Sequence, residues 1–299
     1  MKRAVLTTSS ASLHHMGIAT DSIGNIPLHI RFGDQWFLDN GEKLSPKILS
    51  KMMADNPKVV VNTRPASPDE VHEIFSDLYR RNYDEVFVCC LSSRFSESYK
   101  ILEEQKNLYT GRMNIYIYDT KTVNIAEAAL AYEASYMIQG GATFGEVVAR
   151  LDQLRAKSVL TLSLYDLNYI IRNKKLSAPA GFIANLFDVK PVMQITSEGL
   201  LVPTSKVRKF ERALREMIKI VDETTRGQDR YLYMTDASFG DLTERCAQIV
   251  MQEMKIESLP IIPASCVSMG NHGPDGVALG AFYGQLPKII SQLPVYKEG

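Results

Sequence analysis

Cysteine is scarce in this 299-residue chain: the four are Cys89, Cys90, Cys246 and Cys266, two of them adjacent and none spaced as C-x-x-C. Neighbouring cysteines rarely bridge, and a chain of this length needs no staples, so they read as reduced thiols of a cytosolic protein. Histidine is equally sparse. His14, His15, His29, His72 and His272 do not fall at ligand spacing with the cysteines, which argues against zinc. No run of about 18 apolar residues occurs, so no membrane-spanning helix is expected. Met1-Lys2-Arg3 is followed only by Ala4-Val5-Leu6 before Thr7-Thr8-Ser9-Ser10, too short for a signal-peptide core. An excess of one charge is missing too: 34 Lys and Arg balance 34 Asp and Glu. A net-neutral chain lacks the global bias of a nucleic-acid binder. The phosphate-binding patterns G-x-x-x-x-G-K-[ST] and G-x-G-x-x-G are absent, as are G-x-S-x-G and H-E-x-x-H. The expectation is a cytoplasmic protein with no metal, no cofactor and no nucleic-acid partner.

What is present is an ordinary globular composition, 45% hydrophobic and 23% charged. At about 150 residues per domain the length suggests two domains. Ala4–Leu6, Val59–Val61, Val86–Leu91 and Ile115–Tyr118 read as strands. Pro68–Arg81 reads as a helix, with Val71, Ile74, Phe75, Leu78 and Tyr79 on one face. Ser67 is its N-cap and Glu70 completes a capping box. Further helices are expected over Asn124–Gln139, ending at Gly140-Gly141, and after Thr143, which opens a second capping box with Glu146. Strand alternating with helix implies α/β architecture with a parallel sheet. Beyond residue 157, Val189–Ile195 and Leu200–Pro203 read as a hairpin turning at Gly199. A basic amphipathic helix is expected over Val207–Asp222, then a strand at Tyr231–Met234 and a helix over Asp241–Met254. The division is 1–157 for a parallel-sheet domain and 158–299 for a mixed-sheet domain.

The turns after the strands of the first half carry hydroxyls: Thr7-Thr8-Ser9-Ser10, Asn62 to Ser67, Ser92 to Ser98, and Asp119 to Thr122. In an open parallel sheet such turns share the carboxyl edge, where ligands bind. Helix N-termini there favour an anion such as a carboxylate. Gly270-Asn271-His272-Gly273-Pro274-Asp275-Gly276 places a histidine in a glycine-rich turn, close enough to meet a ligand. Ser96 and His272 could form a nucleophilic dyad, although nothing identifies an acid to orient it. The remaining histidines read as surface or packing residues. Lys206, Arg208, Lys209, Arg212 and Arg215 form a solvated basic face or a docking surface for an acidic partner.

These residues, in this order, resemble the DegV family of fatty-acid-binding proteins along nearly the whole chain. The opening D-S-T stands here as Thr8-Ser9-Ser10, and the I-P-L strand as Ile26-Pro27-Leu28. T-S-Q-P-S becomes Thr63-Arg64-Pro65-Ala66-Ser67, and L-S-S-x-x-S-G-T-Y becomes Leu91 to Tyr99. G-G-R-[IL]-S becomes Asn173-Lys174-Lys175-Leu176-Ser177. L-x-x-K-P appears as Leu186 to Pro191 with one extra residue, K-V-R as Lys206-Val207-Arg208, and G-x-H-x-G-P-G as Gly270 to Gly276.

The resemblance implies two α/β domains holding one long-chain fatty acid between them. Its carboxylate would be held by Thr63 and Ser96 with His272 nearby, and Arg64, Ser92, Ser93 and Asn271 would support them. Phe182, Ile183, Leu186 and Phe187 are the expected tail lining. The resemblance further implies a non-catalytic subunit that presents the acid to a separate ATP-dependent fatty acid kinase, with Arg208 as a partner contact and a transient membrane-surface contact compatible with the role. Departures from the pattern fall at Thr8, Arg64, Glu97, Asn173 and Asp275. The competing readings are a Ser/His hydrolase or acyltransferase acting on an acyl substrate, and a regulatory interaction module.

Overall fold

The computed structural model describes residues 1–18, 22–179, 182, 189–293 and 296–297. Its first sheet has four strands, all parallel, in the order Ile23–Ile26, Arg3–Thr8, Glu85–Cys90 and Asn114–Asp119. The strands are apolar on both faces, as a sheet covered on both sides requires. Leu6, Val86, Val88, Ile115 and Ile117 face a core closed by helices Pro68–Arg80 and Ser98–Lys106. Val5, Phe87 and Cys89 face the opposite core, under helices Asn124–Gln139 and Phe144–Ala156. Both capping boxes form, Ser67 with Glu70 and Thr143 with Glu146.

The expectation for Val59–Val61 needs correction. The strand runs Val61–Arg64 and lies outside the parallel sheet. It pairs antiparallel with His29–Phe32, which pairs in turn with Gln35–Leu38. The cause is local: Gly33, at φ +60°, and Asp34 turn the chain back after four residues, and the resulting hairpin captures the next extended segment. Only three of the four hydroxyl-bearing turns therefore follow strands of the parallel sheet. The first-half strand Ile23–Ile26 also ends before Pro27, which has no amide proton to give a ladder.

At Ser158 the chain enters a six-stranded mixed sheet. Its order is Leu201–Val207, Lys190–Ile195, Ser158–Leu164, Gly276–Tyr283, Arg230–Asp236 and Ile261–Pro263. Only the last pair is parallel. The first pair slips register between Pro203 and Ser205. Helices Phe210–Thr225 and Asp241–Met254 cover one face of this sheet. The basic helix is shorter than expected at its start: Lys206 lies in the preceding strand, and Arg208 and Lys209 lie in the connection, leaving Arg212 and Arg215 on the helix. The glycine-rich stretch also departs from expectation. Cys266–His272 is a helix, so Asn271 and His272 sit on its last turn, and Gly273 caps it at φ +89°. This helix packs back into the first half, against strand Val61–Arg64 and the core containing Leu28 and Ile30.

The two halves also meet through the Gly199 turn. Ser92 Oγ, fully buried, donates to the Gly199 carbonyl at 2.8 Å. A Cβ on Gly199 would stand 2.3 Å from that hydroxyl oxygen and 3.0 Å from Lys121 Cα, on a backbone at φ +81°. Gly199→Ala is expected to lower stability by at least about 1–2 kcal/mol from the left-handed backbone alone. The measurement is the urea midpoint, and a midpoint equal to wild type would contradict the contact.

Candidate functional site

Between the two sheets lies a cavity of about 620 Å³, within the range of small-molecule sites. Its apolar wall comes from the second half. Alternation along strand Ser158–Leu164 turns Leu160, Leu162 and Leu164 to the cavity, and Ile170, Ile195 and Leu201 extend the surface. Its polar wall comes from strand Val61–Arg64, from loops and from the helix packed between the halves: Thr63, Ser93, Ser96, Lys175, Asn271 and His272.

Two hydroxyls on this wall each accept one hydrogen bond from a neighbour. Asn271 Nδ2 donates to Thr63 Oγ1 at 3.0 Å and to the Val267 carbonyl at 2.8 Å. The Thr63 proton is thereby free to donate elsewhere. Ser96 Oγ accepts the Ser98 amide at 3.2 Å and shares a 2.8 Å hydrogen bond with Ser98 Oγ. Two hydroxyl donors on one wall facing leucines on the other suit an amphipathic anion: each end finds its solvent substitute.

His272 lines the same cavity. Its Nδ1 sits 2.8 Å from the Gly273 carbonyl, which fixes the proton there and leaves Nε2 as an acceptor. Burial pulls the imidazole down to about 4, so it is neutral at pH 7. The dyad is not assembled: Ser96 is engaged by Ser98, and the orienting partner of His272 is a backbone carbonyl rather than an acid. Gly273 is required by close packing, since a Cβ there would lie 2.7 Å from the Tyr169 ring.

The supporting residues divide. Ser93 reaches the cavity while its Oγ donates to Asp119 Oδ2 at 2.6 Å. Ser92 does not line the cavity and serves the contact with Gly199. Arg64 stands at the cavity edge, its guanidinium 5.2 Å over the Trp36 ring and 3.9 Å from Glu70, and it is largely exposed. Phe182 lies beneath Lys206 Nζ, 3.8 Å from the ring centroid. Ile183, Leu186 and Phe187 lie outside the described residues. Arg208 is exposed, away from the cavity lining.

Lys175 was not singled out by residue chemistry, although it occupies the arginine position of the family pattern. Its ammonium donates to the Phe95 carbonyl, and burial lowers its pKa. Lys174, at the second glycine position, keeps the left-handed backbone at φ +53°. Asn173 donates to the Gly270 carbonyl at 3.2 Å, tying this turn to the helix of Asn271 and His272.

Thr8 replaces an acid, yet a carboxyl is present at that edge. Glu127, fully buried, reaches it from the Asn124–Gln139 helix. It accepts from Thr7 Oγ1 at 3.2 Å, from Thr8 Oγ1, and from Ser10 Oγ at 2.6 Å. Of the other histidines, His29 pairs with Glu70 at 2.8 Å and His72 packs on Tyr109. His14 and His15 are not free surface groups: both converge on buried Asp39.

With this geometry in view, comparison with known proteins is informative. The family model described as an uncharacterised protein, DegV family, matches residues 2–284. The chain belongs to the DegV family. A DegV domain-containing protein of Clostridium acetobutylicum is 24% identical over 233 residues, 78% of this chain and 81% of that one. The crystal structure of a fatty acid binding DegV family protein from Streptococcus agalactiae superposes with TM-score 0.84 at 21% identity, covering 96% of this chain and all 100% of that one. A stearic acid-binding protein from Eubacterium ventriosum superposes with TM-score 0.80 at 20% identity, over 95% and 99% of the two chains. The two-part α/β fold expected from the motifs is the fold these proteins share.

Burial pushes the Glu127 carboxyl up to about 8, against the pull of its hydroxyl partners. Between its ordinary 4.5 and about 8, the folded chain holds a proton that the unfolded chain has released. Stability contributed by this group therefore falls as pH rises through that window. Glu127→Gln should flatten the stability–pH curve there and be relatively more stable than wild type at pH 8. Urea titrations at several pH values check this; parallel curves for the two proteins would refute it.

Proposed function

We propose that this chain binds one long-chain fatty acid in the cavity between its halves. The observation that carries the reading is the pairing of two cavity-lining hydroxyls, Thr63 and Ser96, with a wall of leucines. Thr63 and Ser96 hold the carboxylate, with Asn271 orienting Thr63. His272 lies beside them. Its neutral Nε2 accepts a hydrogen bond from a protonated acid, or takes up a proton to meet a carboxylate. The tail runs along Leu160, Leu162, Leu164, Ile195 and Leu201. The similar folds of a fatty acid binding DegV family protein and a stearic acid-binding protein support this reading.

Within the same reading the chain is a non-catalytic, cytoplasmic subunit. It presents the carboxylate to a separate ATP-dependent kinase, which forms the acyl phosphate. The exposed side chains of Arg94, Glu97 and Lys100 at the cavity rim place the polar wall within reach of a partner, and the exposed Arg208 is a contact for it. Residues 1–157 supply the hydroxyl loops, and 158–299 supply the His272 helix and the tail wall.

Native mass spectrometry of the purified chain should show a one-to-one adduct with the mass of a fatty acid. Thr63→Val and Ser96→Ala should each weaken retention roughly tenfold to a hundredfold, the worth of one hydrogen bond to a charged group. A chain that stays ligand-free after incubation with a panel of fatty acids would overturn the reading. With a kinase subunit supplied, Arg208→Glu should reduce acyl-phosphate formation and leave lipid retention unchanged; equal loss of both would remove Arg208 from the partner surface.

A further inference from the structure

At the first residue of the Cys266–His272 helix, outside the cavity lining, a second group of side chains converges. His14 and His15 lie on one short turn, with ring centroids 4.0 Å apart and planes tilted by 47°. Both Nε2 atoms point at the same oxygen. His14 Nε2 is 3.4 Å and His15 Nε2 is 3.6 Å from Asp39 Oδ1. The Cys266 Sγ lies 4.0 Å from His15 Nε2. Gly41, at φ +83°, makes room for both rings; a Cβ there would approach His14 Cδ2 to 3.3 Å.

The distances discriminate between two explanations. Good N–H···O hydrogen bonds run about 2.7–3.2 Å, and these contacts are longer. Two nitrogen or oxygen ligands bound at about 2.0–2.1 Å in a tetrahedral shell sit roughly 3.4 Å apart, close to what is observed. A sulfur–nitrogen edge would be roughly 3.6 Å, which a small rotation of the Cys266 side chain supplies. The second observation is independent. Asp39 is fully buried, and its other oxygen, Oδ2, has no hydrogen-bond partner among the described residues. A buried carboxylate left half satisfied is costly unless a cation completes it.

We propose that His14, His15 and Asp39 bind a divalent transition ion of the zinc type, with Cys266 as the fourth ligand. The donor set of imidazole, carboxylate and thiolate is one that zinc and cobalt accept, and it is foreign to magnesium and calcium. All four side chains are buried or half-buried, and a full set of protein ligands would mark a structural site. Its consequence is mechanical. The ion would join the loop after the first strand and the segment at Asp39 to the first residue of the helix whose last turn carries Asn271 and His272.

The test uses the full chain, stripped with chelator and titrated with Co²⁺, then Zn²⁺. One equivalent of Co²⁺ should give the visible absorption of a tetrahedral site and a thiolate charge-transfer band, both abolished by Zn²⁺. Zn²⁺ should raise the melting temperature of the wild type and leave that of His15→Ala unchanged. His15→Ala and Asp39→Asn should weaken Co²⁺ binding by at least about a hundredfold, since even outer-shell changes cost about ten- to a hundredfold. His14→Gln, at a ring 17% exposed, guards against misfolding of the buried variants and should weaken binding likewise. His72→Ala should bind as wild type does. Cys266→Ser should keep a weaker site without the charge-transfer band; an unchanged band would remove Cys266 from the ligand set. No stoichiometric Co²⁺ uptake by wild type at micromolar metal, or undiminished uptake by His14→Gln and His15→Ala, would overturn the site.

Discussion

Glu127 projects from its helix into the carboxyl edge of the parallel sheet, where water does not reach it. A buried carboxyl must be surrounded by donors, and meeting that demand organises the loops nearby. Thr8 and Ser10 turn inward to serve it. Thr8 Oγ1 in turn accepts the Leu91 amide at 3.1 Å, which fixes the start of the Ser92–Ser98 loop. Between them Ser9 Oγ accepts the Leu28 amide at 3.0 Å, fixing the chain that leads into the antiparallel hairpin. Ser10 and Leu28 both reach the cavity. The floor of the cavity is thus set by one acid that does not itself line it.

The second constraint is the return of the Cys266–His272 helix into the first half. It adds to the buried core in which Tyr233, Ile262 and Phe282 of the second half pack with Phe87, Ile125 and Leu151 of the first, and to contacts such as Ser92 with Gly199. The helix brings Asn271 to Thr63 and His272 opposite the leucine wall, so the polar wall of the cavity is itself built from segments 208 positions apart in sequence. Residues that shape the cavity are therefore also residues that hold the halves together.

Legibility in the sequence followed the range of the interaction. The capping boxes at Ser67 and Thr143 were readable because cap and partner lie three residues apart. The helix over Asp241–Met254 was readable from its periodic apolar face. The small antiparallel sheet was not read, because strands of four residues carry little periodicity; the Gly33-Asp34 pair was the available signal. Glycines around His272 suggested a loop, yet Cys266 to His272 is helical and only Gly273 breaks it. Ordered motifs placed Thr63, Ser96 and His272 on a common cavity wall. They gave no sign that Ser92 serves the fold, because its acceptor, Gly199, lies 107 residues away. Spacing could not find the His14, His15, Asp39 and Cys266 group either, since Cys266 is 251 residues from His15.

The six-stranded sheet ends on two strands that cannot easily accept a further neighbour. Leu201–Val207 carries Pro203, a register slip and the charged Lys206, and Ile261–Pro263 is three residues long and closes on a proline. Each device interrupts the row of free amides and carbonyls that an incoming strand would need. A sheet so bordered resists edge-to-edge pairing between copies, so its rim is protected without a helix or loop to cover it.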